Sequence, residues 1–107
     1  MEPITYTVTA TFQDPELARE WLRWLQDGHI AEVLAGGAAD AEIIALDGPG
    51  CSFEVRYHFP SRAAFTGYER DHAPRLRAEG LKRFPVEKGV AYQRSVGVVK
   101  DTFRKSD

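Results

Sequence analysis

The chain has 107 residues, 43% of them hydrophobic and 28% charged, with both signs mixed along its length and a formal net charge of −2. That is the size and make-up of one globular domain, and it gives no general attraction to phosphate backbones, which argues against a nucleic-acid partner. No apolar run approaches a membrane span, Met1-Glu2-Pro3-Ile4 lacks the basic and then apolar pattern of a signal peptide, and the lone Cys51 has no partner for an internal disulfide. A reducing, cytoplasmic setting is therefore expected.

Ile4 to Phe12 alternates strictly, with Ile4, Tyr6, Val8, Ala10 and Phe12 on one side and threonines on the other. This pattern predicts a half-buried strand. Asp14-Pro15-Glu16 then carries the signals of a helix start: a capping aspartate, proline in the first turn and a carboxylate near the positive end of the helix dipole. Leu17, Trp21, Trp24 and Leu25 form one helical face, and the apolar rhythm resumes from His29 to Leu34 until Gly36-Gly37 stops it. The spacing predicts a long helix bent or briefly broken at Gly28.

Ala39 to Leu46 reads as a second strand and Ser52 to Phe59 as a third, joined by the turn Asp47-Gly48-Pro49-Gly50. In the third strand Phe53, Val55, Tyr57 and Phe59 share one face, and Ser52, Glu54, Arg56 and His58 the other. Ser61 is the expected cap of a second helix with a core stripe of Phe65, Tyr68, His72 and Leu76. Pro74 must break its hydrogen-bond ladder, and Gly80, Phe84-Pro85 and Gly89 are read as ending it. Val90 to Val99 is a last strand, and residues 100–107 a polar tail that frays.

The order β, α, β, β, α, β, with a faint echo between the stretches around His29 and His72, predicts an α+β ferredoxin-like domain spanning residues 1–107. Its four-stranded antiparallel sheet would carry both helices on one face. The other face would show Thr5, Thr7, Thr9 and Thr11 with Ser52, Glu54, Arg56 and His58, plus Gln93 and Ser95 or Tyr92 and Arg94 according to register. Such a face meets water, or packs against a second copy to form a dimeric α+β barrel with a polar interior.

The sequence has no phosphate-binding glycine loop, no zinc spacing and no nucleophile elbow. Cys51 has no adjacent base or cation to activate it. His29 and His72 occupy equivalent places in the two halves, where they could serve as bases or as structural groups at helix ends, and His58 belongs to the polar sheet face. Trp21 and Trp24 with Tyr6 and Tyr57 have the make-up of a small-molecule pocket, and equally of a plain core. Arg75, Arg77, Lys82 and Arg83, interleaved with Glu79, read as a solvated face.

Trp21-Leu22-x-Trp24-Leu25 with His29-Ile30-x-Glu32-Val33-Leu34, and Tyr68-x-x-x-His72-Ala73-Pro74-x-Leu76-Arg77-x-Glu79 with Arg83-Phe84, resemble a family of uncharacterised bacterial proteins. That family is known only as a domain of unknown function and is similar to the dimeric α+β-barrel superfamily. The chain departs from its pattern at Ala31, where proline is commoner, and at Gly80, where histidine is common. The resemblance implies the fold and a homodimer but no activity, since the wider superfamily includes cofactor-free monooxygenases, lactone isomerases, polyketide cyclases and haem enzymes.

The expected protein is a homodimer joined through the polar sheet face. It would bind a small apolar or aromatic molecule between sheet and helices at Tyr6, Trp21, Trp24, Tyr57, Tyr68 and His72. The alternative is a cofactor-independent enzyme of monooxygenase, isomerase or cyclase type, with His72 or His29 as general base and Tyr57 or Arg75 orienting an oxyanion. A metal site at His29 and His72 ranks last because no third ligand suggests itself. No cofactor and no membrane partner are expected.

Overall fold

The computed structural model describes residues 2–106. Its strands are β1 (Ile4–Phe12), β2 (Asp40–Ala45), β3 (Cys51–Phe59) and β4 (Val90–Val98), in the sheet order β2-β3-β1-β4. Each neighbouring pair is antiparallel. Between β1 and β2 lie α1 (Pro15–Trp24) and α2 (Ile30–Ala35); between β3 and β4 lie α3 (Arg62–Asp71) and α4 (Ala73–Arg83). The α+β ferredoxin-like order is the expected one.

The alternation in β1 and β3 decides which face is covered. Ile4, Tyr6, Ala10 and Phe12 are buried with Val55, Tyr57 and Phe59 in one core that also takes Leu17, Trp21 and Leu25 from the first helical layer and Phe65, Tyr68 and Leu76 from the second. A one-residue slip would turn every one of these strand side chains to the other face, so the burial pins the register. Thr7 lies opposite Arg56 and Ser95, and Thr9 opposite Glu54 and Gln93, on the side without helices. The two registers left open for β4 are thereby settled: Tyr92 and Arg94 face the helices, and Gln93 and Ser95 the open side.

Local chemistry starts and stops the helices much as anticipated. The Asp14 carboxylate accepts the Glu16 backbone N–H at 2.9 Å, and the Ser61 hydroxyl accepts that of Ala64 at 3.1 Å. Between α1 and α2 the chain makes a wide π-helical turn over Leu25–His29, where Gly28 takes φ 150°, a conformation side chains strongly disfavour. The second helical run breaks at His72, as the proline two residues on requires, and Pro74 sits in the first turn of α4. One expectation needs correcting. Gly80 does not end this helix but lies inside it, because its bare Cα gives room to the Trp24 ring, whose Cη2 would stand 3.2 Å from a β-carbon there.

Beyond β4, residues 99–106 form no regular element, and Phe103 is 89% exposed. The last residue of the expected tail, Asp107, lies outside the described residues.

Candidate functional site

Where β1 and β3 run side by side, Tyr6 and Tyr57 are direct cross-strand partners, and their rings stack 5.8 Å apart. Tyr68, carried in by α3, leans over Tyr6 at 6.4 Å. From the neighbouring strand Arg94 donates through Nε to the Tyr6 hydroxyl at 3.1 Å. From α4 the Arg77 guanidinium lies 6.0 Å above the Tyr6 ring and donates to Glu69 at 2.5 Å. Opposite this polar end, Trp21, Trp24, Leu25 and His29 form an apolar wall. Between the two ends the packing leaves a cavity of about 60 Å³, with Gly80 and the half-exposed Leu81 at the α4 side.

Burial sets the protonation of these groups. It raises the pKa of Tyr57, helped by Tyr68 and Tyr6, so the phenol keeps its proton. Tyr68 is raised in the same way, chiefly by burial and then by Tyr6, with Arg77 and Arg94 pulling weakly against the shift. His29 stacks on Trp24 at 4.1 Å, and burial lowers its pKa despite Glu32 and Glu79, which favours the neutral imidazole. Two nitrogens of residues that line the cavity, one at each end, are buried without a partner among the described residues: His29 Nδ1 and Arg77 Nε. Unpartnered buried polar atoms are uncommon in folded proteins, and two beside one cavity mark it out from the rest of the core.

Five of the six residues expected at a pocket, Tyr6, Trp21, Trp24, Tyr57 and Tyr68, line this cavity. His72 does not. It stands at the break between α3 and α4, its ring 6.4 Å from that of Tyr68, and a β-carbon on Gly36 would come within 3.0 Å of it. His29 is on the cavity wall, so the two histidines are placed differently despite the sequence echo. Among the described residues no group of three or more His, Cys, Asp or Glu could hold a metal ion. Arg75 turns outward to Glu32 and Glu79 at 3.3 and 3.4 Å. The guanidiniums that reach the cavity are Arg77 and Arg94, which the sequence reading did not place there. Their signal was available: Arg94 falls in step with Val90, Tyr92, Val96 and Val98, the apolar side of its strand.

The open face carries its own polar set. His58 meets Asp40 at 2.5 Å and Glu42 at 4.0 Å, and Arg56 binds Glu54 at 2.9 Å. Cys51 is partly exposed at the start of β3.

The family described as Domain of unknown function (DUF4286) matches residues 3–98. The chain belongs to that family. No curated protein matches it. Among solved structures, this DUF4286 chain is similar to a dimeric ferredoxin-like protein from an uncultured marine organism, with 16% identity, TM-score 0.70, and 96% of this chain and 100% of the other covered. It is also similar to the ActVA-Orf6 monooxygenase of Streptomyces coelicolor, solved with nanaomycin D, at 15% identity and TM-score 0.74, covering 98% and 94% of the two chains. A third likeness is to SnoaB, a cofactor-independent oxygenase from Streptomyces nogalater, at 9% identity and TM-score 0.70, covering 98% and 100%. At such identities the likeness establishes the α+β fold and leaves function to the site itself. No described helix is long and apolar enough to cross a membrane.

Proposed function

We propose that residues 1–107 form one domain of a bacterial, cytoplasmic homodimer, with 100–107 as its polar tail, and that each protomer binds a small molecule between sheet and helices. The observation that carries the reading is the cavity of about 60 Å³ left among Tyr6, Tyr57, Tyr68, Trp21 and Trp24. Small-molecule sites combine such apolar walls with a few converging polar groups. This partly open space is well below the roughly 150 Å³ of a cavity that takes a benzene ring. A head group of a few atoms fits as the side chains stand, and an aromatic body enters only if Leu81 or Trp24 at the edge moves.

Dimerisation through the open face is supported by its uncovered four-stranded sheet and by the dimeric ferredoxin-like proteins this chain is similar to. With Thr7, Thr9, Glu54, Arg56 and Gln93 on that face, the interface would be wet. Light scattering gives the test: the wild type runs as a dimer at tens of micromolar and Thr7→Arg as a folded monomer, whereas a monomeric wild type refutes the pairing. For the pocket, amide chemical shifts of Tyr6, Tyr57 and Tyr68 are followed while small aromatic and aliphatic compounds are added. Absence of any saturable change up to millimolar concentrations refutes the binding reading.

The enzymatic alternative has one observation behind it, His29 on the cavity wall with a buried, unpartnered Nδ1 and a pKa lowered by burial. A base there would speed exchange of an acidic C–H of a bound compound in heavy water, and His29→Gln would remove that acceleration.

A further inference from the structure

The polar groups around the cavity are unbalanced in a way that names the ligand's head group. Two guanidiniums reach the wall, Arg77 and Arg94, and no aspartate or glutamate is among the residues that line it. Glu69 answers the charge of Arg77 at one terminal nitrogen only, and the buried Nε is left with nothing to donate to. Arg94, an exposed residue, takes part in no ion pair among the described residues; its Nε donates to the Tyr6 hydroxyl, which leaves its terminal nitrogens to solvent or a ligand. The Tyr6 oxygen, having accepted from Arg94, retains its own O–H to donate. Tyr57 and Tyr68 are held as neutral phenols by their burial, and each can donate as well. The site therefore presents donors and, on its solvent-exposed side, one arginine without an ion-pair partner, in a protein whose net charge is −2.

We propose that the pocket takes the carboxylate of a small organic acid, held by the Arg94 and Arg77 guanidiniums with the Tyr57 and Tyr68 hydroxyls, its carbon body pointing toward Trp24 and Leu81. This rests on the ligand-pocket reading above. A carboxylate is planar and acceptor-only, which suits a guanidinium fork. It carries a single charge, which matches the one of the two cavity-lining arginines that has no ion pair among the described residues. Its few atoms also fit the space of about 60 Å³ without moving a ring. The apolar wall of Trp21, Trp24 and Leu25 leaves a second charged end without a partner, so the expected ligands are monoacids.

The test uses the whole chain and matched probes: propionate and benzoate against propionamide and benzamide, with inorganic phosphate as a further anion. Binding is read by calorimetry and by the amide shifts of β1 and β4. The expected result is saturable binding of at least one acid, with its amide tenfold or more weaker. Arg94→Gln should weaken the acid about tenfold and leave the amide unchanged, while Arg75→Gln, at an outward-facing arginine, alters neither. If Arg94→Gln fails to fold, Arg94→Lys keeps the charge without the Nε bond and should bind the acid at intermediate strength. Amides binding as well as acids overturns the carboxylate assignment and leaves the pocket standing. Phosphate binding more tightly than both acids overturns it as well. No probe binding at all removes the pocket reading and the assignment together.

Discussion

Replacing Gly36 by alanine asks whether His72 is a packed structural group or a side chain free to act as a base. Gly36 closes α2 with φ −83° and ψ −3°, angles open to any residue, so the backbone raises no objection to a side chain. The space does. A β-carbon would lie 3.0 Å from both the His72 Cγ and the Tyr68 Cδ1, where ordinary contacts begin near 3.4 Å. Two rings must therefore retreat by about 0.4 Å, and Tyr68 is fully buried against Phe59 and Phe65. Reduced freedom of the unfolded chain returns about 0.4–1 kcal/mol, while overpacking of this kind costs about 1–3 kcal/mol. The difference is a loss of up to about 2.6 kcal/mol, or a fall in Tm of up to roughly 20 °C for a domain of this size. Urea and thermal unfolding of wild type, Gly36→Ala, His72→Ala and the double variant measure it. With His72 truncated one of the two clashes disappears, so the alanine at 36 should cost at least 0.5 kcal/mol less, a coupling typical of residues in contact. Equal cost in both backgrounds would refute the packing of His72 against this turn.

Two further outcomes follow from the geometry. Gly28 has open space around its missing side chain but stands at φ 150°, so Gly28→Ala isolates backbone strain and should destabilise by about 1–3 kcal/mol in urea titrations without altering the core packing seen by near-ultraviolet circular dichroism. Burial raises the Tyr57 and Tyr68 pKa values, so the unfolded chain releases these protons from about pH 10 while the folded one retains them. Their contribution is then complete below pH 10 and lost as pH rises through the raised folded values; urea midpoints between pH 8 and 11 should fall less steeply in Tyr57→Phe than in wild type.

The parts of the fold that were legible in the sequence are those where one physical demand dominates. β1 and β3 alternate because one face is sealed by helices, and the caps at Asp14 and Ser61 satisfy backbone N–H groups that a helix start leaves free. Pro74 announced the break at His72 because it cannot continue a hydrogen-bond ladder. The site was legible only where aromatic residues follow these same periods, which is how Tyr6, Trp21, Trp24, Tyr57 and Tyr68 were found together. His72 misled because the helical period places a residue on the inner side of its own helix and says nothing of what the neighbouring turn brings there, in this case Gly36.

What escaped the periodic reading has a common form. Arg94 interrupts the apolar side of β4, and Gly80 interrupts the interior of α4. Judged locally, Arg94 puts an exposed cation in an apolar register, and Gly80 costs about 1 kcal/mol against alanine in a helix. Judged in place, both open onto the same cavity, Arg94 through its bond to Tyr6 and Gly80 by admitting the Trp24 ring. The unpartnered nitrogens of Arg77 and His29 lie there too. Residues that depart from the local pattern and converge on one cavity are what a functional site produces. The ferredoxin-like frame, shared with oxygenases at 9–15% identity, cannot by itself account for them. A ligand that binds the Arg94 and Arg77 guanidiniums accounts for the arginines and the cavity with one cause.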